Sequence, residues 1–324
     1  MTNANYYKGL TLQEANETLS KIRPYVMRSP MIRGYALEAL INKEVYYKLE
    51  YLQPTRSFKV RGACSKVLSL EHCEEGVVTA SGGNHGLAVC YIGLEFKIPV
   101  IVYLPKNSTK EIVKSIKFWG GTPVLNGASW DEADQEAQQY AKKMGLPYIH
   151  AFDDTAVVRG QGTVAIEMLN ERSDLDAIIV SVGGGGLISG IGMIARQLKP
   201  EIHIYGVETV GCDAVTQSYR AGKIIRIPAI TSIAKTLGAQ ETTETTLSRI
   251  KANVNDMQTV TDEETLEALK FLLEEEKILV EPATACIVAA ILNKKFDLSS
   301  FKRIGIVLCG ANVSIRELQQ WNVL

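Results

Sequence analysis

One lysine lies beside apolar neighbours in a segment that could support amine chemistry. In TRSFKVRGACS, residues 55–65, Lys59 follows Phe58 and precedes a valine. Ser57 is a good N-cap, which predicts a helix that begins near Lys59 and runs to about Leu70. A helix N-terminus disfavours a cation, so an amine there with a lowered pKa could act as a nucleophile. The alternative is a surface lysine whose stem covers apolar neighbours, and this segment alone favours it.

A second segment combines glycines with side chains that bind anions. VVTASGGNHGLAV runs from a predicted strand into a predicted helix. Glycines let the backbone approach a ligand closely, and a helix N-terminus offers free N–H groups to an anion. Ser81 can bind a carboxylate, and Asn84 can both donate and accept hydrogen bonds. A tight turn alone explains two glycines but not the whole run, which comprises Ser81, Gly82, Gly83, Asn84, His85 and Gly86.

Four consecutive glycines, residues 183–186, follow another apolar run in IIVSVGGGGLISG. The run is costly in conformational entropy, and a cradle of N–H groups around a phosphate is the usual reason for it. A dinucleotide fingerprint is the alternative, because the segment nearly fits GxGxxG and Glu208 follows at the end of the next strand. Ser189 replaces the last glycine of that fingerprint. The loop therefore predicts a phosphate site without identifying the phosphate.

A third strand end carries a cysteine. RIGIVLCGANVS places Cys309 where a predicted apolar strand ends, before Gly310 and Asn312. A cysteine in this setting is most often a small buried apolar residue. At the carboxyl end of a strand, beside two glycine-rich loops, its thiol could instead face a ligand.

Composition restricts the class of protein. The chain has 324 residues, of which 46% are hydrophobic and 22% charged, and this predicts a globular protein of about two domains. A net charge of -1 with no basic run argues against nucleic acid and anionic membranes as partners. The first residues lack a signal-peptide pattern, and no apolar run approaches the length of a membrane span. Six cysteines without a CxxC pair fit reduced thiols. We expect a cytoplasmic protein.

Short apolar runs alternate with helical segments, which predicts an α/β fold with parallel sheets and helices on both faces. We expect a small α/β domain, residues 54–150, inserted into a large α/β domain formed by residues 1–53 and 151–324. Ligands in such folds bind beyond the carboxyl ends of the strands. The predicted strands are residues 44–51, 76–81, 98–104, 122–126, 147–152, 176–182, 201–208 and 303–309.

A candidate amine nucleophile, an asparagine in a glycine turn and a phosphate cradle together describe a site for pyridoxal phosphate. The chain resembles the fold-type II pyridoxal-phosphate enzymes, which have a tryptophan synthase β-like fold, and within them the serine/threonine dehydratases (ammonia-lyases) and serine racemases. The resemblance covers about residues 10–315. It rests on SFKVRGA, SGGNHG, GGGGLISG, EEKILVEPATA and CGANVS, in the expected order. It implies two open parallel-sheet domains with the cofactor in the cleft between them.

The resemblance also implies roles for individual residues. Lys59 would hold the cofactor as a Schiff base and move the Cα proton. Phe58 would pack near the pyridine ring, Asn84 would bind its 3-oxygen, and Cys309 would face its nitrogen. The phosphate would bind the backbone N–H groups of Gly183, Gly184, Gly185, Gly186 and Leu187. The amino-acid substrate would contact Ser81, Gly82, Asn84 and His85.

Position 82 separates two activities within the family. Racemisation needs a second acid or base on the face opposite Lys59. Serine racemases that resemble this chain have a serine at the position of Gly82, which has no side chain to carry a proton. We therefore expect β-elimination of L-threonine and/or L-serine to ammonia and 2-oxobutyrate or pyruvate. Serine racemisation with side lyase activity is the alternative, and an NAD-dependent dehydrogenase is the alternative from another class.

Two further expectations concern assembly and metals. We expect a homodimer or a homotetramer. Relatives that bind a divalent cation use a glutamate, a backbone carbonyl and an aspartate, whose positions fall on Glu208, Cys212 and Ala214. Alanine replaces the third ligand, although Asp213 lies one position away, so this is a weak oxygen site by ligand count and no metal ligand is assigned.

Overall fold

The computed structural model of the protein describes residues 9–324. Short 3₁₀ turns cover Glu50–Leu52 and Lys235–Leu237. Within the described residues, no helix is both long and apolar enough to cross a membrane. The helices are α1 (Leu12–Ile22), α2 (Tyr35–Ile41), α3 (Lys59–Val67), α4 (Asn84–Phe96), α5 (Lys110–Phe118), α6 (Trp130–Met144), α7 (Thr155–Glu171), α8 (Gly186–Leu198), α9 (Ala214–Ala221), α10 (Glu244–Asn253), α11 (Asp262–Glu274), α12 (Pro282–Leu292) and α13 (Ile315–Gln320).

The strands form two sheets. The strands are β1 (Met31–Arg33), β2 (Glu44–Lys48), β3 (Val77–Ala80), β4 (Val100–Leu104), β5 (Thr122–Leu125), β6 (Ala177–Ser181), β7 (His203–Thr209), β8 (Asp256–Val260) and β9 (Arg303–Val307). The six-stranded sheet has the order β1-β2-β9-β6-β7-β8, and the three-stranded sheet has the order β3-β4-β5. Every pair of neighbouring strands is parallel except β1 with β2.

The large sheet is buried on both faces, as its apolar strands require. Strand β6, AIIVS, is buried along its whole length. Ile179 belongs to one apolar cluster with α12 and α11, while Ile178 belongs to another with α7 and α8. This alternation follows from the period of two along a strand. The strand therefore holds the loop that follows it, which begins at Val182, in a fixed position.

The predicted α/β class with parallel sheets is confirmed, but two strands were missed and one was predicted wrongly. Strand β1 has only three residues, and β8, DMQTV, is half polar because it lies at the edge of the sheet. Residues 147–152 form no strand; they make a single bridge between Val78 and Tyr148. The three-stranded sheet lies wholly within residues 54–150, and the domain boundaries themselves stay a prediction.

Candidate active site

The carboxyl ends of three strands carry the loops identified above. Strand β3 leads into Ser81, β6 leads towards the glycine run, and β9 leads into Cys309. Strands β6 and β9 are neighbours, with Ile179 paired to Ile306, so their two loops leave the same edge side by side. This is the edge of a parallel sheet at which ligands bind.

Lys59 is the first residue of α3, as predicted, but Ser57 does not cap the helix. Phe58 occupies the cap position without a side-chain hydrogen bond, and the helix ends at Val67 rather than near Leu70. Ser57 instead forms a backbone bridge with Gly310. The capping prediction was wrong because this backbone pairs with the segment after β9. That pairing holds the beginning of α3 against the Cys309 loop.

The Lys59 amine belongs to a half-buried side chain. Its Nζ donates a hydrogen bond to the carbonyl of Ala151 at 2.8 Å and lies 5.3 Å from the centre of the Phe58 ring. Burial lowers the pKa of this amine to about 8, although the Cys309 thiol opposes the shift. Burial disfavours the charged form of an amine, which is the usual way to activate a lysine. Lys59 therefore fits the nucleophile better than a surface lysine.

A buried charge network fixes the helix that carries Lys59. Arg61 lies two residues further along α3, and its guanidinium contacts Glu50 and Glu167, each at 2.7 Å. Lys48 reaches the same Glu167 carboxylate at 2.7 Å. All four side chains are buried. Removing one partner of such a network is strongly destabilising because it leaves an uncompensated buried charge. The network thus positions Lys59, and sequence reasoning missed it.

The glycine run forms an anion cradle at the N-terminus of α8. Within the described residues, no backbone N–H from Gly183 to Leu187 donates a hydrogen bond to another protein group. Gly185 has a φ of 98°, which favours glycine. A Cβ on Gly184 would lie 2.1 Å from a carbon of the Phe152 ring, so the backbone packs directly on that ring. Free N–H groups at a helix N-terminus bind phosphate readily.

Asn84 is held by polar groups from two other segments. Its Nδ2 donates to Glu281 Oε1 at 2.8 Å, and its Oδ1 accepts from Asn312 Nδ2 at 2.5 Å. Glu281 Oε1 also accepts from the Thr236 hydroxyl at 2.8 Å. The amide is therefore fixed in one orientation. Because an amide nitrogen carries two hydrogens, one remains to donate to a ligand.

Glu281 is a functional candidate that sequence reasoning quoted in a motif but assigned no role. It is 2% exposed and immediately precedes α12. Burial raises the pKa of its carboxyl to about 7, although hydrogen bonds from Thr236, Asn84 and the Asn312 backbone lower that pKa and so oppose the shift. The sequence did contain a signal for such a role, because Glu281 is a charged residue directly before the apolar helix PATACIVAAIL. Its contacts indicate that it orients Asn84.

Glu281 should make stability depend on pH. The pKa of Glu281 in the folded protein is raised from 4.5 to about 7. Its contribution to the free energy of unfolding is therefore full below about pH 4.5 and is lost as pH rises through about 7. Unfolding of the cofactor-free parent and of Glu281→Gln should be compared from about pH 5 to about pH 8. We expect the parent to lose stability relative to the variant over this range. A difference that stays constant with pH would contradict the raised pKa.

Residues 81–86, the loop that contains Asn84, offer a second anion site. Ser81 Oγ accepts from the N–H of Gly83 at 3.2 Å, which leaves its own proton free to donate. The N–H groups of Asn84 and His85 begin α4 and have no protein acceptor in the described part of the chain. The His85 ring contributes less than expected, because its Nε2 bonds the Ile149 carbonyl at 3.1 Å. Burial lowers the pKa of His85 to about 3, so the ring is neutral.

Cys309 joins these loops from the end of β9. Its carbonyl accepts from the N–H of Phe58 at 3.0 Å, which ties it to the lysine segment. Burial and the nearby Glu281 carboxyl raise the pKa of its thiol to about 11. The thiol is therefore protonated at neutral pH and contacts Ser181 and Thr284.

Glu208 lies outside this group. It is 1% exposed, and its two carboxyl oxygens accept the backbone N–H groups of Val215 and Thr216 at the start of α9. A ribose hydroxyl would have to displace these bonds, so the placement disfavours the dinucleotide alternative. Within residues 9–324, no group of three or more His, Cys, Asp or Glu side chains is arranged to hold a metal ion.

Comparison with known proteins gives the family. Residues 22–310 match the family described as pyridoxal-phosphate dependent enzyme. The chain belongs to this family. A serine racemase of Arabidopsis thaliana is 36% identical over 95% of this chain and 94% of that protein. An L-threonine ammonia-lyase of Thermotoga maritima is 33% identical over 96% of this chain and 78% of that protein. The solved structure of maize serine racemase has a TM-score of 0.92 and 32% identity and covers 97% of both chains.

The residues present fit the cofactor of this pyridoxal-phosphate enzyme. The free N–H groups from Gly183 to Leu187 suit its phosphate, and the free hydrogen on the Asn84 amide suits an oxygen acceptor. Lys59 supplies an amine whose pKa is lowered to about 8. Four of the five motifs contact one another directly: Ser57 pairs with Gly310, and Asn84 bonds both Glu281 and Asn312.

The lowered pKa of Lys59 should control the rate of cofactor binding. Only the neutral amine attacks an aldehyde, so reconstitution of the apoprotein should accelerate about tenfold per pH unit below about pH 8 and level off above it. The rate is measured from the change in cofactor absorbance. Reaction of the cofactor with a simple primary amine at the same pH values corrects for the cofactor's own titration. A rate that keeps rising to about pH 10 would indicate an ordinary lysine.

Proposed function

We propose that this enzyme catalyses β-elimination of L-threonine and/or L-serine, with release of ammonia and 2-oxobutyrate or pyruvate. The observation that carries this proposal is Gly82, which offers no proton carrier opposite Lys59. A Cβ at this position would lie 3.3 Å from Leu104 and 3.5 Å from Ile112, so the surrounding side chains are apolar as well. Position 82 therefore supplies no acid or base for proton transfer on that face.

Different residues of this chain would perform the separate functions that elimination requires. Bound pyridoxal phosphate would supply the electron-withdrawing group that acidifies the substrate Cα. The Lys59 amine, with a pKa of about 8, is suited to take the Cα proton near neutral pH. The Ser81 hydroxyl and the free N–H groups at the start of α4 would hold the substrate carboxylate. Asn84, fixed by Glu281 and Asn312, would hold the cofactor ring.

Racemisation is the second candidate, because serine racemases are among the relatives at 33–36% identity. L-Threonine ammonia-lyases stand at 33–34% identity, so overall similarity does not separate the two activities. Position 82 supports elimination.

We also propose that the enzyme assembles as a homodimer or homotetramer, which light scattering of the holoenzyme would test.

The proposal is tested by product analysis. The holoenzyme is incubated with L-serine and L-threonine, and ammonia and the 2-oxo acids are quantified. We expect equal amounts of ammonia and 2-oxo acid from at least one substrate. A cofactor-loaded protein that consumes neither substrate, or that converts L-serine only into its enantiomer, would refute it.

A further inference from the structure

A buried polar cluster surrounds the Cys309 thiol. Its sulfur lies 3.0 Å from Thr284 Oγ1 on α12 and 3.2 Å from Ser181 Oγ at the end of β6. The carbonyl of Ala283 is a more distant contact, at 4.0 Å. The side chains of Cys309, Thr284 and Ser181 are all buried. With water excluded, these groups must satisfy one another.

The hydrogen bonds of Thr284 determine where its own proton points. Its hydroxyl accepts from the N–H of Gly310 at 2.9 Å and lies 2.8 Å from the Gly310 carbonyl. A carbonyl oxygen is a much better acceptor than a thiol sulfur, so the hydroxyl donates to Gly310. One lone pair of Thr284 Oγ1 then remains, and it faces the sulfur. The Cys309 S–H donates into that lone pair.

Ser181 completes a directed chain of hydrogen bonds. Within residues 9–324, its hydroxyl contacts no polar group other than the Cys309 sulfur. Because the thiol proton is already committed to Thr284, the Ser181 O–H donates to the sulfur. The protons therefore point in one direction, from Ser181 through Cys309 and Thr284 to the Gly310 carbonyl.

We propose that Thr284 is a positioning residue that turns the Cys309 proton away from the ring nitrogen of the cofactor. This inference rests on the proposed function and on the family resemblance, which implies that Cys309 faces that nitrogen. With the thiol proton directed to Thr284, the ring nitrogen receives no hydrogen bond from Cys309 and withdraws fewer electrons from Cα. A brief carbanion is enough to expel a β-hydroxyl. Thr284 thus favours elimination over reactions that need a longer-lived carbanion.

The protonation of the ring nitrogen is measured by NMR of holoenzyme loaded with ¹⁵N-labelled pyridoxal phosphate. We expect the parent to show the shift of an unprotonated pyridine, with Thr284→Ser and Ser181→Ala unchanged. Thr284→Val frees the thiol to donate to the nitrogen, so its resonance should move upfield. The double variant Thr284→Val/Cys309→Ala should return to the parent position. An unchanged shift in Thr284→Val, or a protonated nitrogen in the parent, would overturn the proposal.

A second measurement needs neither a variant at Thr284 nor catalysis. The infrared S–H stretching band of Cys309 is isolated as the difference between the parent and Cys309→Ala, with and without cofactor. We expect the lowered frequency of a hydrogen-bonded thiol in both states. A band at the frequency of a free thiol would overturn the inference. Because neither measurement follows product formation, a failure of the elimination proposal would be seen separately.

Discussion

Lys59→Ala should reduce turnover of L-serine and L-threonine by about a thousandfold or more, the scale expected when a positioned acid or base is lost. The variant should also bind pyridoxal phosphate only reversibly. The fold should survive, because within residues 9–324 the amine makes a single hydrogen bond, to the carbonyl of Ala151. The substitution removes both the attachment point and the group proposed to move the Cα proton. Ammonia release, cofactor absorbance after gel filtration and circular dichroism measure these effects.

Lys66→Ala is the matched control for that substitution. Lys66 lies in the same helix, α3, but its Nζ forms an ion pair with Asp154 at a distance of 2.7 Å. Neither residue belongs to the motifs of the site. Loss of such a partly exposed pair costs about 1 kcal/mol at most. Turnover of Lys66→Ala should match the parent. If Lys59→Ala also turned over substrate at the parent rate, Lys59 would not be the catalytic amine.

Gly82→Ser should create an activity that the parent lacks. The new hydroxyl is expected to reprotonate the substrate on the face opposite Lys59, so D-serine should appear from L-serine. The substitution is tight but feasible, because its Cβ would lie 3.3 Å from the flexible end of Leu104. A small loss of stability should accompany it. Chiral chromatography of the reaction mixture measures the new product.

Gly82→Ala separates the effect of the hydroxyl from the effect of added volume. It brings the same Cβ against Leu104 and Ile112 but no proton carrier. We expect Gly82→Ala to catalyse elimination without forming D-serine, at a rate set by how well the added Cβ fits. D-serine formation by Gly82→Ala at the rate of Gly82→Ser would show that the hydroxyl is not the second acid or base.

The elements that carry the site were predicted best, because their patterns are locally determined. Strands β3, β6 and β9 are apolar runs, and those of β3 and β6 lead into glycine-rich loops; both features can be read without tertiary information. Strand β8 could not be predicted in this way, since an edge strand alternates polar and apolar residues weakly. Residues 147–152 have strand-like composition but make only one bridge, between Val78 and Tyr148. Pairing depends on neighbours that the local sequence does not specify.

Residues that act through long-range contacts were the ones missed. Glu281 lies 197 positions from Asn84 in sequence, yet their side chains are 2.8 Å apart. Arg61 could be noted in the lysine motif, but its partners Glu50 and Glu167 become evident only once the chain is folded. Ser57 was assigned to a cap by its residue type, whereas its backbone pairs with Gly310. Local preference gives way to tertiary pairing at such positions.

The central claim is that protons reach the substrate Cα from the Lys59 face alone. It is tested most directly by incubating the unmodified holoenzyme with L-serine in D₂O and analysing the recovered serine by chiral chromatography and mass spectrometry. The account predicts pyruvate and ammonia as products, with all recovered serine in the L form and any Cα deuterium on that isomer. Accumulation of D-serine at a rate comparable to pyruvate release would contradict it, because Gly82 has no group that could deliver the proton.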